Sequence, residues 1–161
     1  MSVFKSQFSR ALRAHPSNNA DIAYPNVIEV GTSTTVTASK LISSAGLFIT
    51  NNVKTGDVVH NDTLGTVATV LTVDSETELT LNANIFTATA QVYTLYSMSS
   101  QTSMGNPGCF LYVGGTGNVS VITIGGDQIT FNGVPAGTTL PIQVVKLRAT
   151  GTTATLVNAL W

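Results

Sequence analysis

Two histidines, one cysteine and a short run of acids are the residues of this chain whose types could do chemistry. His15 and His60 stand in different segments, and Cys109 is distant from both in sequence. A zinc-type centre draws its ligands from Cys and His at short, regular spacings, and no such spacing occurs here. Ser, His and Asp are all present, but no nucleophile elbow or other local signature gathers them into a triad. Asp74, Glu76 and Glu78 alternate in and around a turn, which is the pattern of a solvated face. Two carboxylates that work on a glycosidic bond must instead face one another across it. The Gly-rich "GGTGNV" at 114–119 follows an apolar strand, yet strand-like "VSVITI" comes next. With no helix N-terminus to receive a phosphate, the stretch reads as a hairpin turn. "NVS" and "NDT" match glycosylation acceptors, a match that carries weight only in a secreted chain. Cys109 opens an apolar run and reads as a small buried hydrophobe. The sequence therefore predicts no catalytic residues, no metal and no cofactor.

The elements that would have to position any site come next. The 161 residues are 43% hydrophobic, enough to bury a core, but only 9% are charged and the net charge is −1. Soluble domains carry about 25% charged residues, and dispersed monomers rely on net charge to stay apart. A chain this neutral, with Thr, Ser, Asn and Gly supplying its polarity, is expected to live in an assembly. Lys5, Arg10 and Arg13 crowd the first fifteen residues with no acid among them. Three cations before a neutral remainder make a poor phosphate-binding surface, so no nucleic-acid partner is expected. No apolar stretch approaches the roughly 20 residues of a membrane span. The N-terminus lacks the apolar core of a signal peptide, so the mature chain is expected to start near Met1, after synthesis in the cytoplasm.

The organisation changes along the chain. Residues 1–26 read as an N-terminal arm. Val3, Phe4, Gln7, Phe8, Ala11 and Leu12 recur at i, i+3, i+4 spacing with Ser2 as N-cap, which predicts a short amphipathic helix over 2–14. Such a helix is too short to stand alone in water and needs a partner surface; the alternative is an extended arm. "HPSNNADIAYP" follows as an extended linker. Residues 27–97 read as a β module: "NVIEV", "TTVTAS", "GDVVHN", "GTVATVLTV", "ELTLN" and "QVYTLYS" are short β-branched runs between turn formers. "VDSETELTL" is a predicted hairpin, "LISSAGLFITNNVKTGD" a bent strand or one helical turn, and the Thr alternation in "TSTTVTAS" a solvated sheet face. Residues 98–108 form a linker.

Residues 109–161 supply five alternating strands, CFLYV, NVSVITI, DQITF, PIQVVKLRA and ATLVNALW, separated by GGTG, GG, NGVPAG and TGTT. Connections this short predict that neighbours pair in order. The fold class is thus mainly β, with antiparallel small barrel or sandwich modules. The chain closes on an apolar strand and an indole. An uncovered edge of that kind would aggregate, so Leu156, Val157, Leu160 and Trp161 are candidate subunit-interface residues.

The blocks "LYVGGTGNVSV" and "GGDQITFNGVPAGTTLPIQVVKLRATGTTATLVNALW" resemble the head spike base proteins of gene transfer agents and related structural proteins of tailed phages. The likeness covers about the last third of the chain, and "FSRAL…HPSNNADI" looks like the leader that precedes this unit. Residues 27–97 would then be an inserted module. The resemblance implies a non-enzymatic virion protein, a head spike base or capsid decoration on the capsid surface. It implies major capsid protein and further copies of itself as partners, three about an axis in the family's style, and a head fiber protein above it. The arm would dock on acidic capsid protein through Phe4, Lys5, Phe8, Arg10, Leu12 and Arg13. A tail or baseplate component is the alternative within the particle. A carbohydrate-binding module for host adsorption is the alternative outside that class, with Tyr93, Tyr96, Phe110 and Tyr112 as stacking candidates.

Overall fold

A computed structural model describes residues 8–98 and 108–161. Among them are twelve strands and no helix, arranged in two antiparallel six-stranded sheets. The fold is all-β and of sandwich type, and neither sheet closes into a barrel. The middle sheet contains β2 (Val27–Thr32), β3 (Lys40–Ile42), β4 (Val58–Asn61), β5 (Thr66–Val73), β6 (Glu78–Leu81) and β7 (Val92–Tyr96), in the order β2-β7-β4-β5-β6-β3. The second sheet contains β1 (Ala11–Arg13), β8 (Cys109–Gly115), β9 (Gly117–Thr123), β10 (Gln128–Val134), β11 (Thr138–Leu147) and β12 (Thr155–Leu160), in the order β1-β12-β8-β11-β9-β10.

Period-two alternation decides what each strand buries. Cys109, Leu111 and Val113 of β8 enter one core with Val119 and Val121 of β9, Val144 and Leu147 of β11, and Val157 and Ala159 of β12. Leu41, Val59, Ala68, Val70, Leu79, Tyr93 and Leu95 of the middle sheet form a second core, filled by Phe48 and Phe86 from loops. Each such Val or Leu contributes about 1.5–3 kcal/mol relative to leaving it exposed. The predicted hairpin at 73–81 is present, joining β5 to β6 with the Asp74 N–H donating to the Glu78 carbonyl at 3.0 Å.

Four local expectations are corrected. The predicted helix is absent from the described part of 2–14: Ala11–Arg13 is a strand, because β12 offers a ladder, and a short segment takes the geometry its partner satisfies. "TTVTAS" is a loop that meets the sheet through the Thr35–Ile42 bridge, the Thr34 N–H on the Ile42 carbonyl and the Ser39 carbonyl that accepts from Leu81, and it forms no strand whose threonines could line a sheet face. The C-terminal strands do not pair in order, since β11 lies between β8 and β9 and meets both. Pro141, with no N–H to donate, falls where the β8–β11 register shifts between Leu140 and Val144.

The fourth correction explains the third. "GGTG" is no hairpin turn but a corner in a nearly continuous run from β8 to β9. Gly114, Gly115 and Gly117 are there because another backbone passes too close for a side chain. A Cβ at Gly117 would lie 2.4 Å from the Ala154 nitrogen, and one at Gly114 would lie 2.7 Å from the Leu156 oxygen. The crossing chain bends as well, with Leu156 held at φ 53°, the left-handed region that bulky residues avoid.

Candidate functional site

The two ends of the chain are tied to each other. The Ser9 and Arg10 N–H groups donate to the Trp161 carbonyl at 2.6 and 3.0 Å, and the Trp161 N–H returns a bond to the Arg10 carbonyl at 2.9 Å. The ladder continues as Ala11 opposite Leu160, Leu12 opposite Ala159 and Arg13 opposite Asn158. The Trp161 indole packs edge-on against Tyr24, 5.5 Å between centroids. Arg10 lies 5.4 Å above the same Tyr24 ring and donates to the Pro25 carbonyl at 2.7 Å. The apolar last strand is therefore covered on its open side by this protein's own arm.

That arrangement redistributes the candidate residues. Phe4 and Lys5 lie outside the described residues. Phe8 is exposed, its ring 5.5 Å from Phe110. Arg13 is exposed, Arg10 is engaged with Tyr24 and Pro25, and Leu12 is half-buried against the cluster of Ala20, Ala23, Val58, Val67 and Tyr96. Of the four interface candidates, Val157 is 2% exposed in its own core and has nothing to offer a partner. Leu160 and Trp161 are half-buried, and Leu156 alone is open, at 54% exposure. Tyr93 and Tyr96, candidates for sugar stacking, are buried, leaving only Phe110 and Tyr112 near the surface.

Folding also makes a pair that sequence separation concealed. The His15 ring, on the arm, meets the His60 ring of β4 edge-on at 5.2 Å, and His60 leans on Tyr96 at 4.7 Å. Burial, reinforced by His15, lowers the His60 pKa to about 3. Burial and then Arg13 lower that of His15, with Asp62 opposing. Both imidazoles are neutral at pH 7, so the contact is a packed joint between arm and middle sheet. Cys109 is far from this joint, in the other core, where burial pushes its thiol up to about 12 and makes it unreactive. No group of three or more His, Cys, Asp or Glu that could hold a metal occurs among the described residues.

The acids act as ties between backbone segments. Glu76 accepts from the Ile49 and Thr50 N–H groups and from the Thr50 hydroxyl. Asp74 and Glu78 share Lys40, and hydrogen bonds from Thr80, Thr72 and Lys40 lower the Asp74 pKa to about 2. Glu29 accepts from the Tyr93 hydroxyl at 2.6 Å, the Leu47 N–H and the Asn51 amide. A cleft of about 220 Å³ lies between arm and β12, lined by Arg13, His15, Pro16 and Leu156. It is smaller than the 300–1,000 Å³ usual for small-molecule sites.

The exposed surface also carries many large apolar side chains. Thirteen large hydrophobic side chains among the described residues are exposed, Val30 most of all at 61%, with Val27 on the same strand, Val92 on its neighbour β7 and Leu47 bonded to Glu29. Sequence reasoning passed over these because "VIEV" does not alternate, and an exposed Val on an edge looks like a core Val until the neighbouring strands are known. No family model matches the chain, and neither does any curated protein or solved structure.

Proposed function

We propose that the protein is a non-enzymatic structural component of a tailed-phage particle, a head spike base or capsid decoration that assembles with copies of itself on the capsid surface. One observation carries the reading: a surface with few charges presents thirteen exposed large apolar side chains among the described residues. Apolar groups displayed in that number on a nearly neutral body suit a surface that is covered in use. The likeness of residues 109–161 to spike base proteins supplies the particle. Major capsid protein is the partner beneath, and a fiber protein is the partner above.

The arm's part in docking is narrower than its sequence suggests, because Leu12 and Arg10 are engaged within the protein. Among the described residues of the arm, Phe8 and Arg13 are the candidates left exposed to meet an acidic capsid surface. The test is immunogold labelling of tailed-phage particles purified from the same source, with antibody against the chain. Label on the head is expected, whereas label on the tail moves the protein to the baseplate class and unlabelled particles overturn the reading. Docking is tested by co-sedimentation with emptied heads, comparing the full chain with one lacking residues 2–7 and carrying Arg13→Glu. Equal binding by the two removes the arm from the interface.

A further inference from the structure

The two sheets end in four edge strands, and three are closed to further pairing. The first, β1, is three residues long, preceded by Arg10 and ending on Arg13. Of the others, β3 is also three residues long, carries Lys40, and is met on its outer side by Thr34 and Thr35, the Thr34 N–H donating to the Ile42 carbonyl at 2.7 Å. The β10 edge is interrupted by a bulge between Phe131 and Val134, with Gly133 at φ 61°. Short length, charge and bulges are the devices that keep an edge from recruiting another strand.

By contrast β2 has none of them across its regular part. It is six residues long and contains no Lys, Arg or Pro, and its register against β7 shifts only at its start, between Val27 and Glu29. The Ser33 N–H donates to the Gln91 carbonyl at 2.9 Å, and the same register pairs Gly31 with Tyr93 and Glu29 with Leu95. In an antiparallel ladder only alternate residues bond to a given neighbour. Glu29 and Gly31 therefore turn their backbone groups toward β7, and Val30 turns its N–H and C=O off the sheet. Paired residues share a face, so Val27 lies on the side of Tyr96, Val30 on that of Thr94, and Val92 beside Thr32. The arm covers this face over Val58, Val67 and Tyr96 through Ala20 and Ala23. Beyond that cover, Val27, Val30 and Val92 are 53%, 61% and 40% exposed. The one charge of the strand, Glu29, is turned inward onto Tyr93, Leu47 and Asn51.

We propose that this edge is the contact between two copies of the chain, β2 pairing antiparallel with β2 of the second copy about a two-fold axis at Val30. The register suits a self-complementary interface. Val30 meets Val30 of the other copy, and Glu29 lies opposite Gly31, so no like charges face each other. The two backbones exchange the Val30 bonds, and the two valine patches join on one face. The inference rests on the proposal of self-assembly and names its surface.

The test is native mass spectrometry of the full chain beside Val30→Pro and Val30→Lys, with cysteine cross-linking. Val30→Pro removes the outward N–H, and Val30→Lys sets two cations against each other at an exposed position. The native chain is expected to form dimers, alone or as units of a larger ring, and both variants to lose that contact with an unchanged far-UV circular dichroism spectrum and a melting temperature that no longer depends on protein concentration. Val30→Cys is expected to give a disulfide-linked dimer on oxidation, reversed by reductant, while Leu71→Cys on β5 does not. Cys109 stays silent because it is buried. If the native chain assembles and both variants assemble equally, the β2 contact is wrong but self-assembly stands. If the native chain is a monomer at all concentrations, both fail. If Val30→Pro unfolds, Val30→Lys and the cross-link decide.

Discussion

The two sheets are made of the same kinds of residue but are held together differently. Six of the eight acids lie between Glu29 and Glu78, and in the middle sheet carboxylates stitch loop to strand: Glu29 to the 47–51 loop, Glu76 to Ile49 and Thr50, Asp57 to the Lys54 and Met98 N–H groups. The C-terminal sheet relies mostly on neutral groups, with one ion pair, Lys146 of β11 to Asp21 at 3.3 Å. Thr153 and Thr152 hydroxyls accept from the Asn118 and Ser120 N–H groups, the Asn118 side chain accepts from Gly133, and three glycines admit a second backbone at the corner. One sheet is thus fastened by charge and large aromatic cores, the other by close approach. They should fail under different insults. Trp161, the sole tryptophan, packs on the C-terminal core and reports on that sheet alone.

The largest expected effect is on the middle core. Phe86 is fully buried, its ring 6.5 Å from that of Tyr93, and Phe86→Ala is expected to cost about 3–5 kcal/mol. Urea unfolding followed by far-UV circular dichroism should show early loss of part of the signal, while Trp161 fluorescence keeps its midpoint. Coincident shifts in both signals would mean that the sheets unfold as one unit.

Next in size is the corner. Gly117→Val places a side chain 2.4 Å from the Ala154 backbone, which cannot step aside without breaking the β9 ladder, and about 3 kcal/mol is expected. Here the Trp161 midpoint should move first. Gly126→Ala is the contrast: Gly126 sits in the β9–β10 turn at φ 92° with nothing within 4 Å of a new Cβ. Only backbone strain opposes that change, about 1 kcal/mol. Equal losses from the two would show that the Ala154 backbone yields to a side chain at 117, so close approach is not what holds the corner.

That contrast also marks how far the sequence could be read. Strand positions in 109–161 were legible because alternation is local: Cys109, Leu111 and Val113 point inward wherever β8 ends up. Partner order was not, because a glycine that admits a neighbouring backbone looks the same in sequence as one that turns a hairpin. The part of the expected 2–14 helix that falls on residues 8–14 failed for a related reason. Phe8, Ala11 and Leu12 fit helical spacing, but hydrogen bonds from β12 and Trp161 claim the backbone of residues 9–14. The His15–His60 joint and the bare β2 edge are tertiary facts that no spacing announces.

Acid separates the sheets by charge. His60 is held neutral with its pKa lowered to about 3, and that of His15 is lowered as well. The unfolded chain, titrating near 6.5, binds more protons than the folded one between the two values. The stability is therefore fully present above about pH 6.5 and falls as pH drops toward 3. A loss on the order of 2 kcal/mol by pH 5 is expected from His60. Asp74, lowered to about 2, adds its own loss only below the ordinary carboxylate range, so pH 7 to 5 isolates the histidines. Urea midpoints should fall over that range for the native chain and flatten in His60→Gln. A slope unchanged by the substitution would sink the assignment.

The smallest effect tests what joins the arm to both sheets. Arg10 is exposed, lies over Tyr24 and donates to Pro25. Exposed contacts of this kind contribute about 0.5–1 kcal/mol, so Arg10→Ala should shift unfolding by no more than that. Its backbone bonds to Trp161 survive the substitution, since they need no side chain. The informative readout is therefore Trp161 emission in the folded state. If the strand register alone holds the arm, emission stays put while stability drops slightly. If the Arg10–Tyr24–Trp161 stack holds it, the indole gains solvent, the spectrum shifts to the red, and amide exchange at Ser9 and Arg10 quickens with it. The second result would make the arm a latch whose side chains can be released without breaking a sheet, leaving Arg10 free to meet the proposed capsid partner.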